Sequence, residues 1–192
     1  MRTRSIACYT LFLAILPAVM GGCSGYRDSG GDSDPGMYLD SGARATISQF
    51  RVDDPSLSRF FDAAYGYAVF PSIGKGGFIA GGASGEGVVY RGGGSIGSNV
   101  VGYSKMTQIT IGAQIGGQEY SQIMFFQDAG SFARFTNSRT EFAATASAVI
   151  VRSGGAATND YNQGVAIFVK PKSGAMAEAA LGGQKFTYRV KP

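Results

Sequence analysis

Ala64-Tyr-Gly-Tyr-Ala-Val-Phe-Pro-Ser-Ile-Gly-Lys-Gly-Gly-Phe-Ile-Ala-Gly-Gly-Ala-Ser-Gly-Glu-Gly-Val-Val-Tyr90 is the stretch in which the hydrophobic period of this chain changes. Before it, apolar residues recur at helical spacing; from Tyr67 onward they alternate with a period of two, which reads as β-strand. The pattern predicts strands at Tyr67–Phe70, Gly77–Tyr90, Thr107–Gly117 and Tyr120–Phe126. Further strands are predicted over residues 142–151, 165–169 and 186–190. Glycine makes up 30 of the 192 residues, roughly twice the usual ~7%. Glycine within strands marks bulges, sharp bends or close backbone approach. Repeated along neighbouring strands, it predicts a strongly curled sheet. The expected fold class is therefore α+β and predominantly β: a curled, barrel-like antiparallel sheet with a few short helices covering one side or end.

Working toward the N-terminus, Ala45, Ile47 and Phe50, then Leu57, Phe60, Phe61 and Ala64, predict two short amphipathic helices interrupted at Pro55. Asp54 or Ser56 is the expected cap of the second. In the other direction, residues 128–135 read as a short helix between strands, with Asp128 as cap. Ordered structure is expected to begin near Gly42. Residues 24–41 (SGYRDSGGDSDPGMYLDS) are rich in Gly, Ser and Asp, lack a hydrophobic period, and read as a flexible tether.

The first 23 residues have the layout of a secretory leader. Arg2 and Arg4 form a basic start, Ile6 to Met20 an uncharged apolar stretch, and Gly21-Gly22-Cys23 a small-residue cleavage site. A spanning helix needs ~20 apolar residues, more than this Pro17-interrupted stretch supplies. Met20-Gly21-Gly22-Cys23 resembles the bacterial lipobox, in which the cysteine thiol accepts the diacylglyceryl group. The expected organisation is a lipoprotein signal peptide over 1–22, a tether over 23–41 and one domain over 42–192. Lipidated Cys23 would anchor the chain to the cell envelope, since two or more acyl chains give stable membrane attachment. Ser24, rather than Asp, after the cysteine favours the outer membrane over the inner.

Charge is distributed unevenly. Residues 23–74 hold four Arg and seven Asp, a net of −3, whereas residues 75–192 hold eleven Lys/Arg and six Asp/Glu, a net of +5. A basic C-terminal two-thirds is compatible with anionic lipid headgroups.

Motifs for other chemistry fail on context. Gly92-Gly-Gly-Ser-Ile-Gly97 satisfies GxGxxG, but strand character follows it where a dinucleotide fingerprint needs a helix. Gly93 to Gly97 also satisfies GxSxG, yet the chain has no histidine to serve as base. The usual zinc ligand sets are missing as well. Asp53-Asp54 is an acid pair, but it lies at the expected helix junction. No cofactor, metal or nucleic-acid partner is implied, and no enzymatic activity is expected.

The run from Gly66 to Gly87 resembles the hallmark of the SYLF domain, GYAVFP followed by GK.GF..GG..G.G. Thr110-Ile-Gly-Ala-Gln-Ile-Gly-Gly-Gln118 and Gln122-Ile-Met-Phe-Phe126 resemble strands of the same family, and the similarity covers roughly residues 42–192. Residues 92–103 depart from the family pattern. The resemblance implies lipid binding; eukaryotic members bind phosphoinositides, for which anionic phospholipid headgroups are the bacterial substitute. It also implies that Lys75 contacts a phosphate, flanked by glycines that expose backbone N–H groups. Arg91, Lys105, Lys170 and Lys172 are further basic candidates. The expected function is a membrane-anchored envelope lipoprotein binding anionic phospholipid; the alternative is a structural or interaction protein with an envelope protein partner. Because acylation already fixes the chain to one membrane, lipid affinity in the domain would serve to sense, remodel or reach a second surface.

Overall fold

Tyr67, Ala68, Val69 and Phe70 alternate between two buried environments, not between core and water. The same holds for Val88–Tyr90, Tyr120–Phe126 and Val165–Val169, each a continuous buried run. Antiparallel strands usually keep one wet face, so these need cover on both. The computed structural model, describing residues 35–77, 80–111, 117–137, 148–150, 156, 159–173 and 184–192, shows how that cover is built. The leader, Cys23, the first part of the tether and residues 142–147 of a predicted strand lie outside the described residues.

The elements run α1 (Pro35–Asp53), a 3-10 turn (Pro55–Leu57), α2 (Ser58–Ala63), β1 (Gly66–Gly77), β2 (Ala80–Arg91), β3 (Val100–Ile111) and β4 (Gln118–Phe126). They continue with α3 (Ala129–Asn137), β5 (Ala148–Ile150), β6 (Val165–Ser173) and β7 (Gln184–Val190). One sheet holds all the strands in the order β5-β6-β4-β1-β2-β3-β7. Every neighbouring pair is antiparallel except β5 with β6, which is parallel.

The first helix boundary differs from the sequence pattern. The helix α1 begins at Pro35, so residues 35–41 are helical and not tether. Pro35 suits a first helical position, where its missing N–H has no intrahelical partner to lose. Its buried stripe is Ala43, Ile47 and Phe50, at spacings of four and three, while Ala45 is exposed. Asp54 caps the following turn as expected: its Oδ1 accepts from Ser56 N at 3.0 Å. Its Oδ2 accepts from Ala156 N at 2.7 Å, tying the helix junction to a distant loop. Asp128 likewise caps α3, its Oδ1 accepting from Ser131 N at 2.8 Å.

The helices cover both faces, not one. α1, the 3-10 turn and α2 lie on the outer face, where Phe60 and Phe61 meet Phe125 at 5.4 and 4.8 Å between ring centroids. On the inner face, Phe135 of α3 sits 4.8 Å from Phe126 and 5.5 Å from Phe186.

The inner face is concave. In a flat sheet β4 and β7, four strand spacings apart, would be separated by about 19 Å. Yet Gln122 of β4 and Gln184 of β7 exchange hydrogen bonds: Gln122 Nε2 donates to Gln184 Oε1 at 3.3 Å, and Gln184 Nε2 donates to Gln122 Oε1 at 3.2 Å. Both side chains are fully buried. Burial also pushes the nearby Tyr120 phenol up to about 12, against the opposing effect of a hydrogen bond with Gln184. The curl stops short of a barrel, since among the described strands β5 and β7 are its two separate ends.

Strand glycines make the curl possible by admitting aromatic rings against the backbone. A Cβ on Gly87 would stand 2.6 Å from Phe70 Cδ1 and 2.8 Å from the Val69 carbonyl oxygen. Pro71 supplies the other device. It removes a donor from the middle of central strand β1, and the pairing slips there against both β2 and β4. The Pro71 carbonyl accepts instead from Ser121 Oγ at 2.7 Å.

Two outcomes test this account. Gln122→Leu alone leaves the Gln184 amide buried without its partner and lowers unfolding free energy by about 1–3 kcal/mol in urea titrations, whereas Leu at both positions recovers most of the loss. Gly87→Ala forces Phe70 off its strand and costs about 1–3 kcal/mol by the same measurement.

Candidate functional site

The predicted basic residues do not form one patch. Lys75 is the clearest departure. Before the slip at Pro71, inward positions are Ala68 and Phe70; after it they are Ile73 and Lys75. The bulge therefore turns Lys75 to the inner face, where it is only 6% exposed. It stands opposite Gln118 and Ala83, with Gln108 and Gln184 continuing the same row across β3 and β7. No carboxylate forms an ion pair with it among the described residues. Gly74 and Gly76 are ladder members of β1, paired with Ser84 and Gly82, so the expected loop-like cradle of glycine N–H groups around Lys75 is not what forms.

Lys170 and Lys172 project from β6 and are both engaged. Lys170 pairs with Asp53 at the end of α1, and its hydrogen bond is the main reason the Asp53 carboxyl is held below its usual range. Lys172 Nζ lies 3.1 Å from Glu119 Oε1, which also accepts from Ser72 Oγ at 2.8 Å. The Ser72 hydrogen bond, then Lys172, lowers the Glu119 carboxyl. With Asp53 bound to Lys170 and Asp54 capping a turn, the acid pair is occupied structurally. Arg91 closes β2 at the end of the sheet remote from Lys75. Its guanidinium lies 4.1 Å from the centre of the Tyr65 ring and donates to the Tyr65 hydroxyl.

The glycine-rich run at 92–97 is the loop between β2 and β3, with strand on both sides. Gly93 and Gly97 take φ of +81° and +78°, a region that side chains disfavour. Gly97 N donates to the Tyr67 hydroxyl at 2.8 Å, anchoring the loop to the outer face.

Lys105 is the candidate that opens onto a recess. α1 packs mainly on β1 and β2, and among the described residues no helix packs as extensively on the outer faces of β3 and β7. There a cavity of about 410 Å³ is lined by Leu39 of α1, Glu86 of β2, Tyr103 and Lys105 of β3, and Thr187 and Arg189 of β7. An adjoining cavity of about 650 Å³ shares Leu39, Glu86, Tyr103 and Arg189 and extends past Gly36 to Val190, Lys191 and Pro192. Both volumes fall in the range of small-ligand sites, ~300–1,000 Å³. Strand register explains the lining: Glu86, Lys105 and Thr187 are direct cross-strand neighbours, and Tyr103 stands opposite Arg189. Three cations and one carboxylate give the groove a net charge of +2.

Among the described residues, Met37 (64%) and Tyr38 (68%) on the first turn of α1 and Val190 (67%) at the end of β7 are large hydrophobic residues left exposed; Val190 lines the groove, while from α1 it is Gly36 and Leu39 that do so. Beneath α1, Asp40 Oδ1 and the Tyr90 hydroxyl are buried without a hydrogen-bond partner among the described residues. Burial first, then the Asp40 charge, raises the Tyr90 phenol above its ordinary value.

Sequence reasoning found Lys105 but not Glu86, Arg189 or Lys191. Arg189 follows Thr187 at strand spacing, so its face was readable; its neighbour across the β3–β7 ladder was not.

No family model matches the chain. It is similar to Beta cell expansion factor A of Aeromonas veronii, with 31% identity over 134 residues. The alignment covers 70% of this chain and 49% of that protein, so the chain spans about half the length of this relative. The chain is a distant homologue of that protein.

Proposed function

We propose that this protein is an envelope lipoprotein, held at the membrane through acylated Cys23, whose SYLF-like domain binds anionic phospholipid at the groove between α1 and the β3–β7 ladder. The observation that carries the reading is the meeting of Lys105, Arg189 and Lys191 with the apolar side chains of Leu39, Tyr103 and the exposed Val190 in one groove. Cations at a membrane surface attract anionic headgroups, while aromatic and aliphatic side chains insert at the headgroup boundary. The groove supports lipid contact better than Lys75, which faces the interior, or Lys170 and Lys172, which already hold carboxylates.

Chain length supports contact with the anchoring membrane itself. Eleven residues separate Cys23 from Pro35, and fully extended they reach about 40 Å. The exposed Met37 and Tyr38 follow immediately, with the groove residues Gly36 and Leu39 beside them in the chain, so a short tether would hold this segment at high effective concentration near the bilayer. In this reading the domain's lipid affinity fixes its orientation on its own membrane and does not need a second surface. The protein is no enzyme in this proposal, and the groove takes a headgroup without transforming it.

Two experiments test the proposal. Residues 24–192 retain the whole compact unit Ser33–Pro192, without the leader or the acyl chains. In flotation assays this chain binds phosphatidylglycerol vesicles and not phosphatidylcholine vesicles, with affinity falling as salt rises. At about 1 kcal/mol per cation, Lys105→Ala with Arg189→Ala weakens binding about thirty-fold, whereas Lys170→Ala with Lys172→Ala changes it far less. Binding that ignores salt and both pairs of substitutions, or a protein ligand that outcompetes vesicles, points to the interaction-protein alternative. Separately, Cys23→Ser in the full chain abolishes labelling by radioactive palmitate, and the membrane association that remains becomes salt-sensitive; retained label refutes the anchor.

A further inference from the structure

The groove contains a group that a simple anion site would not include. Glu86 stands directly opposite Lys105 in the β2–β3 register, and both line the same cavity of about 410 Å³ with Arg189. Elsewhere on this sheet an acid does pair with the lysine in reach, as Glu119 does with Lys172 at 3.1 Å. Among the described residues, Glu86 forms no such pair with Lys105 or Arg189. The carboxylate and the two cations thus face the groove as separate charges, each available to a ligand.

We infer that the groove selects phospholipid headgroups carrying a hydrogen-bond donor a short arm away from the phosphate, with Glu86 accepting from that donor while Lys105 and Arg189 hold the phosphate. This inference rests on the lipid-binding reading above and goes beyond it by assigning a class of headgroup. A carboxylate beside a phosphate site repels the phosphate unless the ligand brings a donor or positive charge to it. Ethanolamine and glycerol headgroups satisfy this, with an ammonium or hydroxyls two or three atoms from the phosphate oxygen. Choline does not, because its methylated nitrogen has no hydrogen to donate, and phosphatidic acid lacks the arm. Tyr103 and Leu39, which also line the recess, supply apolar contact for the linking carbons. Specificity in this design comes from the repulsive element as much as from the cations.

The test uses residues 24–192 in vesicle flotation with two matched comparisons: phosphatidylglycerol against phosphatidic acid at equal vesicle surface charge, and phosphatidylethanolamine against phosphatidylcholine in vesicles sharing one anionic component. Wild type prefers the donor-bearing lipid in each by about threefold or more, as for one partly solvated hydrogen bond to a charged group. Glu86 is exposed, so Glu86→Gln retains the wild-type melting temperature, and it removes both preferences, chiefly by raising binding to phosphatidic acid. If wild-type binding follows vesicle charge alone, and Glu86→Gln strengthens binding to all anionic vesicles by one common factor, the selectivity inference is overturned while lipid binding stands. Absence of binding to every vesicle overturns both.

Discussion

The constraint on which the architecture depends is that its central strands have no wet face. Tyr67–Phe70 on β1, Tyr120–Phe126 on β4 and Val165–Val169 on β6 bury consecutive residues, so apolar surface must be covered on both sides of one sheet. On the outer side the cover is the helical N-terminal segment, which sets Ile47, Phe50, Phe60 and Phe61 on the strands. On the inner side α3, the one helix there among the described residues, is too small to cover seven strands. The sheet covers the rest itself by curling until β4 and β7 meet through the Gln122–Gln184 amide pair. The cost of burying these polar groups is offset because each amide satisfies the other.

The same curl sorts the charged residues into different settings. One proline in β1 forces a slip, the slip inverts the alternation, and Lys75 moves to the inner face behind Ile73. Lys170 and Lys172, outward on β6, fall beside Asp53 and Glu119 and are neutralised locally. Arg91 is laid over Tyr65 at the opposite end. Among the described residues, cations line an open recess toward β3 and β7, where α1 contributes only Gly36 and Leu39. The groove therefore lies at the edge of the helical layer on the outer face.

Gly36 and Leu39 of the groove, and the exposed Met37 and Tyr38 between them, belong to the start of α1, the described segment nearest Cys23 in the chain. In the proposed function this proximity makes membrane engagement a local event, and the mixed charges of the groove determine which headgroups are retained.

Much of the fold was legible in the sequence. The change to period two at Tyr67 marked the strands, Pro55 and Asp54 marked the helix junction, and the excess of glycine marked the curl, because each reports on backbone and side-chain geometry within a few residues. The site was legible only in part. Lys105 could be singled out only as a basic candidate, just outside the predicted strand Thr107–Gly117, and its partnership with Glu86 and Arg189 depends on ladders joining residues far apart in the chain. The orientation of Lys75 could not be read either, since a strict alternation from Phe70 places it on the wrong face and only the paired strands reveal the bulge. The elements, the apolar faces and the lipobox-like run Met20–Cys23 could be read from sequence, because these are local patterns. Tertiary structure alone decided which charges are buried, paired or left facing a groove, because that depends on which strands become neighbours and how far a helix of fixed length can cover them.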